Sequence, residues 1–134
     1  MTATINTINP PTLPPPTGYS QIVEARAART IYIAGQVAVN SKGEVVGVGD
    51  FEAQAEQVFR NLEAALSSVG CTARDLVKLT VYLRDMRHLP AYRAARVKFF
   101  GSVTPPAAPA VTLVEVSKLY AEEILLEIEA IAAG

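Results

Sequence analysis

The chain has 134 residues, half of them hydrophobic, a mean hydropathy of +0.24, and 12 Lys+Arg against 13 Asp+Glu. That length predicts one domain, and the near-zero charge with no basic block argues against a phosphate-neutralising nucleic-acid binder. A single cysteine, Cys71, excludes an internal disulfide, and no run of 18 apolar residues is present to span a membrane. "MTATINTINPP" has neither the basic start nor the apolar core of a signal peptide, so the chain reads as cytoplasmic. So large an apolar share in so small a protein points to burial between subunits.

Residues 1–18, "MTATINTINPPTLPPPTG", hold five of the nine prolines and read as an extended arm leading into a single domain over 19–134. From Tyr19 the period becomes two: "YSQIVEA" and "RTIYIAGQVAV" are strand-like, with a turn near Ala27–Ala28. A short strand is expected at 44–46. Residues 51–69 carry Phe51, Ala55, Val58, Leu62, Ala65, Leu66 and Val69 at offsets of three and four, one apolar helical stripe. Asp50 stands where it caps that helix, Gly70 where helices stop, and Glu52, Glu56, Arg60 and Glu63 fall on the opposite side. "LVKLTVYL" (76–83) alternates, with Val77, Leu79, Val81 and Leu83 on one side and Lys78, Thr80 and Tyr82 on the other.

A second helix is predicted over about 89–100, with Pro90 in its first turn and Gly101 at its end. "RDMRHLPAYRAAR" (84–96) carries four arginines, of which Arg93 and Arg96 share a face read here as solvated. Strands over 110–119 and 123–132 close the chain. The sum is a two-layer α+β domain, a mixed sheet of about six strands with two helices on one face and a partner subunit over the other.

Taken in order, "GYSQ" (18–21), "IAGQ" (33–36), "QAEQVFRNLEAAL" (54–66), "DLVKLTVYLRDM" (75–86) and "LLEIEAIA" (125–132) resemble the Rid family, the YjgF-like reactive-intermediate deaminases. The resemblance implies a chorismate-mutase-like fold, a homotrimer whose sheets line a central barrel, and three intersubunit pockets. It also implies hydrolysis of small imines and enamines to ammonia and a 2-oxo acid, without a cofactor. A tyrosine of the "YSQ" piece covers the ligand in such proteins, an arginine of a Pro-Ala-Arg-Ser-like piece forks the substrate carboxylate, and a glutamate of "EIEAIA" positions the attacking water. Tyr19 and Glu127 match the first and last. The arginine position falls on Val111, in "PAVT" (109–112), with Leu113 two residues on.

Arginine offers a carboxylate two parallel charge-assisted hydrogen bonds, and valine offers none. The expected ligand is therefore less acidic or more apolar than a simple 2-imino acid, unless another cation reaches in. Arg87, in the loop "MRHL" with His88, is one candidate for that cation; an ordinary surface arginine is the other reading.

Glu127 and Glu129 lie two apart in a strand and share a face, opposite Ile124, Leu126, Ile128 and Ala130. That pairing suits acid/base work on water, or else an exposed or intersubunit salt-bridging position. Gly35 marks a bulge or a close approach to a ligand, and Gln36 a pocket donor or a strand-end cap. One Cys and one His make no familiar zinc site, and "GVGD" (47–50) is no phosphate loop. Three functions follow: an imine or enamine hydrolase, a non-catalytic metabolite-binding or regulatory trimer, and, from the naming of some relatives, an endoribonuclease, which the charge balance disfavours.

Overall fold

The computed structural model describes residues 3–134. Two helices form where the sequence places them. The first, α1 (Phe51–Ser68), starts on Asp50, whose side chain accepts a hydrogen bond from the Ala53 amide at 3.1 Å. It ends at Val69, with Gly70 just beyond at φ +75°. Its buried side is the expected stripe widened by Gln54 and Phe59. The second, α2 (Leu89–Phe100), carries Pro90 in its first turn and buries Tyr92, Phe99 and Phe100.

The strands are β1 (Thr4–Ile8), β2 (Ile22–Arg26), β3 (Thr30–Gln36), β4 (Leu76–Leu83), β5 (Ala110–Glu115) and β6 (Leu126–Ala133). They form two ladders rather than the one continuous sheet expected: an antiparallel pair β1–β2, and a mixed sheet in the order β3–β6–β4–β5. A single parallel bridge, Ser20 to Ala110, joins the two, closed by the Ser20 amide on the Pro109 carbonyl at 3.0 Å. The proposed short strand at 44–46 reduces to a bridge between Val39 and Val45.

The N-terminal segment departs furthest from expectation. Residues 4–8 do not simply lead into the fold but turn back and pair with β2, Thr4 opposite Arg26 and Ile8 opposite Ile22. The proline-rich stretch becomes the loop between them. It is fixed by Gln21, whose amide donates to Asn9 Oδ1 at 2.7 Å and whose side chain donates to the Pro14 carbonyl at 2.9 Å.

In β4 the buried residues are Leu76, Leu79, Val81 and Leu83. Val77 does not join them, because the β4–β6 ladder slips between Leu76 and Lys78 and puts Leu76 inward instead. Leu126, Ile128 and Ala130 of β6 complete that inward face. Helix α1 packs on β3 and β6. Helix α2 is the crossover between parallel β4 and β5, and such a crossover packs back on its own strands. It lies beside α1 through the Phe59–Phe99 and Phe59–Tyr92 ring stacks, centroids 4.7 and 6.3 Å apart. The result is the expected two-layer α+β domain. The sheet's other face carries Tyr32, Lys78, Thr80, Tyr82, Glu127 and Glu129, and Tyr32 is 77% exposed. No helix among the described residues is long and apolar enough to cross a membrane.

Gln54 fixes where β6 begins. It is fully buried, donates through Nε2 to the carbonyls of Gly47 (3.1 Å) and Glu123 (2.7 Å), and accepts at Oε1 from the Leu125 amide (3.0 Å). Gln54→Leu leaves these partly buried backbone groups unpaired at once and removes the buried amide. Chemical denaturation is expected to show a loss of about 3 kcal/mol or more; a loss below about 1 kcal/mol would mean that water replaces the amide.

Candidate functional site

Glu127 enters its site by strand alternation. Leu126 and Ile128 turn to the helices, so Glu127 turns to the open face, opposite Tyr82 on β4. On its other side the β3–β6 ladder slips between Ile33 and Gln36, a bulge that takes in Ala34 and Gly35. Gly35 lies directly under the glutamate: a Cβ built there would strike Oε2 and come 2.7 Å from Cδ. The bulge and the close approach, offered as alternatives above, are therefore one feature, and the group approached is Glu127's own carboxyl. Gln36 bends its side chain back across the bulge to the Ala34 carbonyl at 3.1 Å, the strand-end capping alternative within one chain.

The neighbouring polar groups are already engaged. Tyr82 donates its hydroxyl to Glu129 Oε1 at 2.9 Å. That hydrogen bond, with some burial and the charges of Glu129 and Glu127, pushes the phenol above its ordinary pKa, so it remains a proton donor at neutral pH. Lys78 donates to Thr112 Oγ1 at 2.8 Å. Glu127 is half-buried, and no hydrogen bond or ion pair from the described residues engages its carboxylate. One carboxylate of the pair is tied and the other is free to take a proton from water.

Val111 and Leu113 lie on β5, and Tyr19 next to the residue that bridges to the start of that strand. The parallel register pairs Val111 with Leu79 and Leu113 with Val81, so both half-buried side chains turn toward the helix layer, away from Glu127's face. Tyr19 is half-buried, one residue before the Ser20–Ala110 bridge. Strand β4 lies between β6 and β5, which sets the two strands about 10 Å apart. One chain thus holds Glu127 and Gly35 in one place and Tyr19 and Val111 in another.

The loop "MRHL" is occupied otherwise. Arg87 forks Asp85, with Nη2 2.6 Å and Nε 2.9 Å from Oδ2, while its own side chain is 89% exposed. The pairing holds Asp85 down to a pKa of about 2. His88 stacks on Phe51 with centroids 4.4 Å apart. Arg87 lies beyond Leu83, whereas Val111 pairs four residues back along β4 at Leu79, roughly 13 Å away. Within one chain Arg87 therefore does not fill the place of the clamp. Cys71 is buried, and burial first, then Asp75, pushes its thiol pKa up, as befits a structural thiol.

Sequence reasoning missed Arg96. It is half-buried rather than solvated, and its guanidinium rests on the backbone of Gly18. The available signal was the glycine immediately before Tyr19, which leaves room for a side chain from elsewhere.

Residues 11–134 match the family model described as Endoribonuclease L-PSP. A RutC family protein of Pyrococcus horikoshii is 40% identical over 121 residues, covering 89% of this chain and 90% of that protein. The 2-iminobutanoate/2-iminopropanoate deaminase of Dermatophagoides farinae is 31% identical over 99 residues, covering 73% and 76%. Among solved structures, YyfB of Yersinia pestis, a protein of unknown function of the conserved Rid family, superposes with a TM-score of 0.88 at 38% identity, over 97% of this chain and 98% of that one.

Proposed function

The chain belongs to the YjgF/Rid family, to which the Endoribonuclease L-PSP model corresponds, and from that premise we propose that it hydrolyses a small imine or enamine in pockets between the subunits of a homotrimer. The observation that carries this is the unengaged Glu127 carboxylate seated over Gly35. Its relative in Dermatophagoides is named for hydrolysis of 2-imino acids, which supports the same reaction class here. The separation of Glu127 from Tyr19 and Val111 supports a shared pocket, since a neighbouring copy supplies what one chain keeps apart.

In the reaction, the Glu127 carboxylate accepts a proton from water as the water oxygen bonds to the C=N carbon, giving a carbinolamine. That proton passes to nitrogen to complete the carbinolamine; the carbinolamine's hydroxyl proton is then relayed through Glu127 to nitrogen as the C–N bond breaks, so ammonia leaves and the C=O product remains. An enamine first takes a proton on its terminal carbon and gives one up from nitrogen, becoming the imine. Tyr19 covers the ligand and keeps bulk water away. The substrate differs from simple 2-imino acids, because Val111 cannot fork an α-carboxylate where the family arginine does.

Freshly generated 2-aminoacrylate, with a panel of larger imines, tests the reading by ammonia release alongside thermal-shift binding. Turnover of panel members with slow 2-aminoacrylate hydrolysis is expected. Binding without turnover across the panel would make the protein a metabolite-binding module instead. Val111→Arg is expected to raise 2-aminoacrylate hydrolysis about tenfold, the size of a charged hydrogen-bond pair. An unchanged or lower rate from a folded variant would show that position 111 does not face the substrate.

A further inference from the structure

Arg96 is the one arginine whose surroundings are shaped to hold it while its donors stay free. Val111 turns toward the helix layer, and α2, which carries Arg96, is the crossover over β4 and β5. The guanidinium lies on Gly18 so closely that a Cβ there would strike Nη2 and come 2.8 Å from Cζ. Gly18 also sits at φ +76°, so glycine is required there both by the backbone and by the guanidinium. The fork stacks over the Tyr92 ring, 5.9 Å from its centroid. No carboxylate or carbonyl among the described residues accepts from it, whereas Arg26, Arg60, Arg84 and Arg87 each have an ion-pair partner. A half-buried guanidinium with its donors unengaged favours an anion beside it.

The next residue is Tyr19, and the one after, Ser20, bridges to Ala110 beside Val111. Arg96 therefore stands about three residue steps along and one strand spacing across, roughly 11 Å, from where a clamp at 111 would be rooted. We propose that Arg96 is the anion-binding residue of this pocket, and that the substrate is an imine or enamine whose single carboxylate is set apart from the C=N carbon by a short spacer. This rests on the hydrolase reading and names its substrate class. Wedged against Gly18 and Tyr92, the fork is held at Gly18 rather than on β5, which places the anion away from position 111.

Stable carbonyl products serve as probes: 4-oxopentanoate, with its acid two carbons removed; 2-oxobutanoate, with its acid adjacent; and neutral butanone. Titration calorimetry on the intact protein is expected to show 4-oxopentanoate binding about tenfold or more tighter than either other probe. Arg96→Met, which keeps the apolar stem without the charge, is expected to erase that preference with little change in Tm, and Arg96→Lys to retain part of it. On the unaltered protein the preference is expected to shrink as salt rises to about 0.5 M, a readout that needs no variant. A preference that survives Arg96→Met, tighter binding of 2-oxobutanoate, or indifference to salt overturns the assignment. Glu127→Gln separates the two readings. It is expected to keep the probe preference while losing ammonia release, so an intact preference with no turnover by the unaltered protein sinks the hydrolase reading alone.

Discussion

Glu127→Gln is expected to lower ammonia release by roughly 10²–10⁴-fold while product-analogue binding stays within about threefold. Glutamine keeps the size and nearly the shape of the side chain, so the strand, the bulge and the contact with Gly35 persist. It loses the basic oxygen that accepts the proton of water. Nothing among the described residues substitutes for it: Glu129 is tied to the Tyr82 hydroxyl at 2.9 Å, and that phenol is pushed above its ordinary pKa and does not act as a base. Tm is expected to change little, because Glu127 makes no hydrogen bond or ion pair among the described residues. A parallel loss of binding and Tm would recast Glu127 as a structural carboxylate.

Gly35→Ala is expected to cost about 10²-fold in turnover from a single added methyl. The new Cβ would lie 2.7 Å from Glu127 Cδ, well inside van der Waals contact, so the carboxyl has to move by about an ångström. Gly35 is absent from the glycines with positive φ, so its backbone accepts alanine, and the stability cost is that of local overpacking, about 1–3 kcal/mol. Because both changes act on one carboxylate, the double variant Gly35→Ala/Glu127→Gln is expected to be no slower than Glu127→Gln alone. Additive losses would place the role of Gly35 elsewhere, in the bulge or in ligand approach.

The parts of this fold that were legible in the sequence are those set by local periodicity. The α1 stripe, its Asp50 cap and the Pro90 start of α2 follow from spacing and backbone chemistry within a few residues. The alternation that turns Glu127 away from Leu126 and Ile128 is equally local. What was hidden depends on partners far along the chain. Residues 4–8 looked like an arm because the prolines after them end any regular pattern, yet they pair with β2 across that loop. The slip that replaces Val77 by Leu76 in the core is a property of the β4–β6 ladder, not of β4 alone. Gln54 broke the apolar stripe in sequence, and its buried amide is satisfied by three backbone groups outside its own helix.

The same distinction governs the site. Glu127 was legible, but its seat over Gly35 requires the β3–β6 register, 92 positions apart in sequence. Arg96 read as one of a solvated pair because helical spacing says nothing of Gly18, which comes from another part of the fold. Arg87 looked available because its pairing with Asp85, two residues away, is a loop conformation rather than a periodic feature.

Ammonia release from freshly generated imines and enamines, measured side by side for the unaltered protein and for Glu127→Gln, tests the assignment of Glu127 most directly. The expected result is turnover well above the spontaneous rate for the unaltered protein and a rate near spontaneous for the variant, with both binding the carbonyl products alike. Equal ammonia release from the two proteins would contradict it.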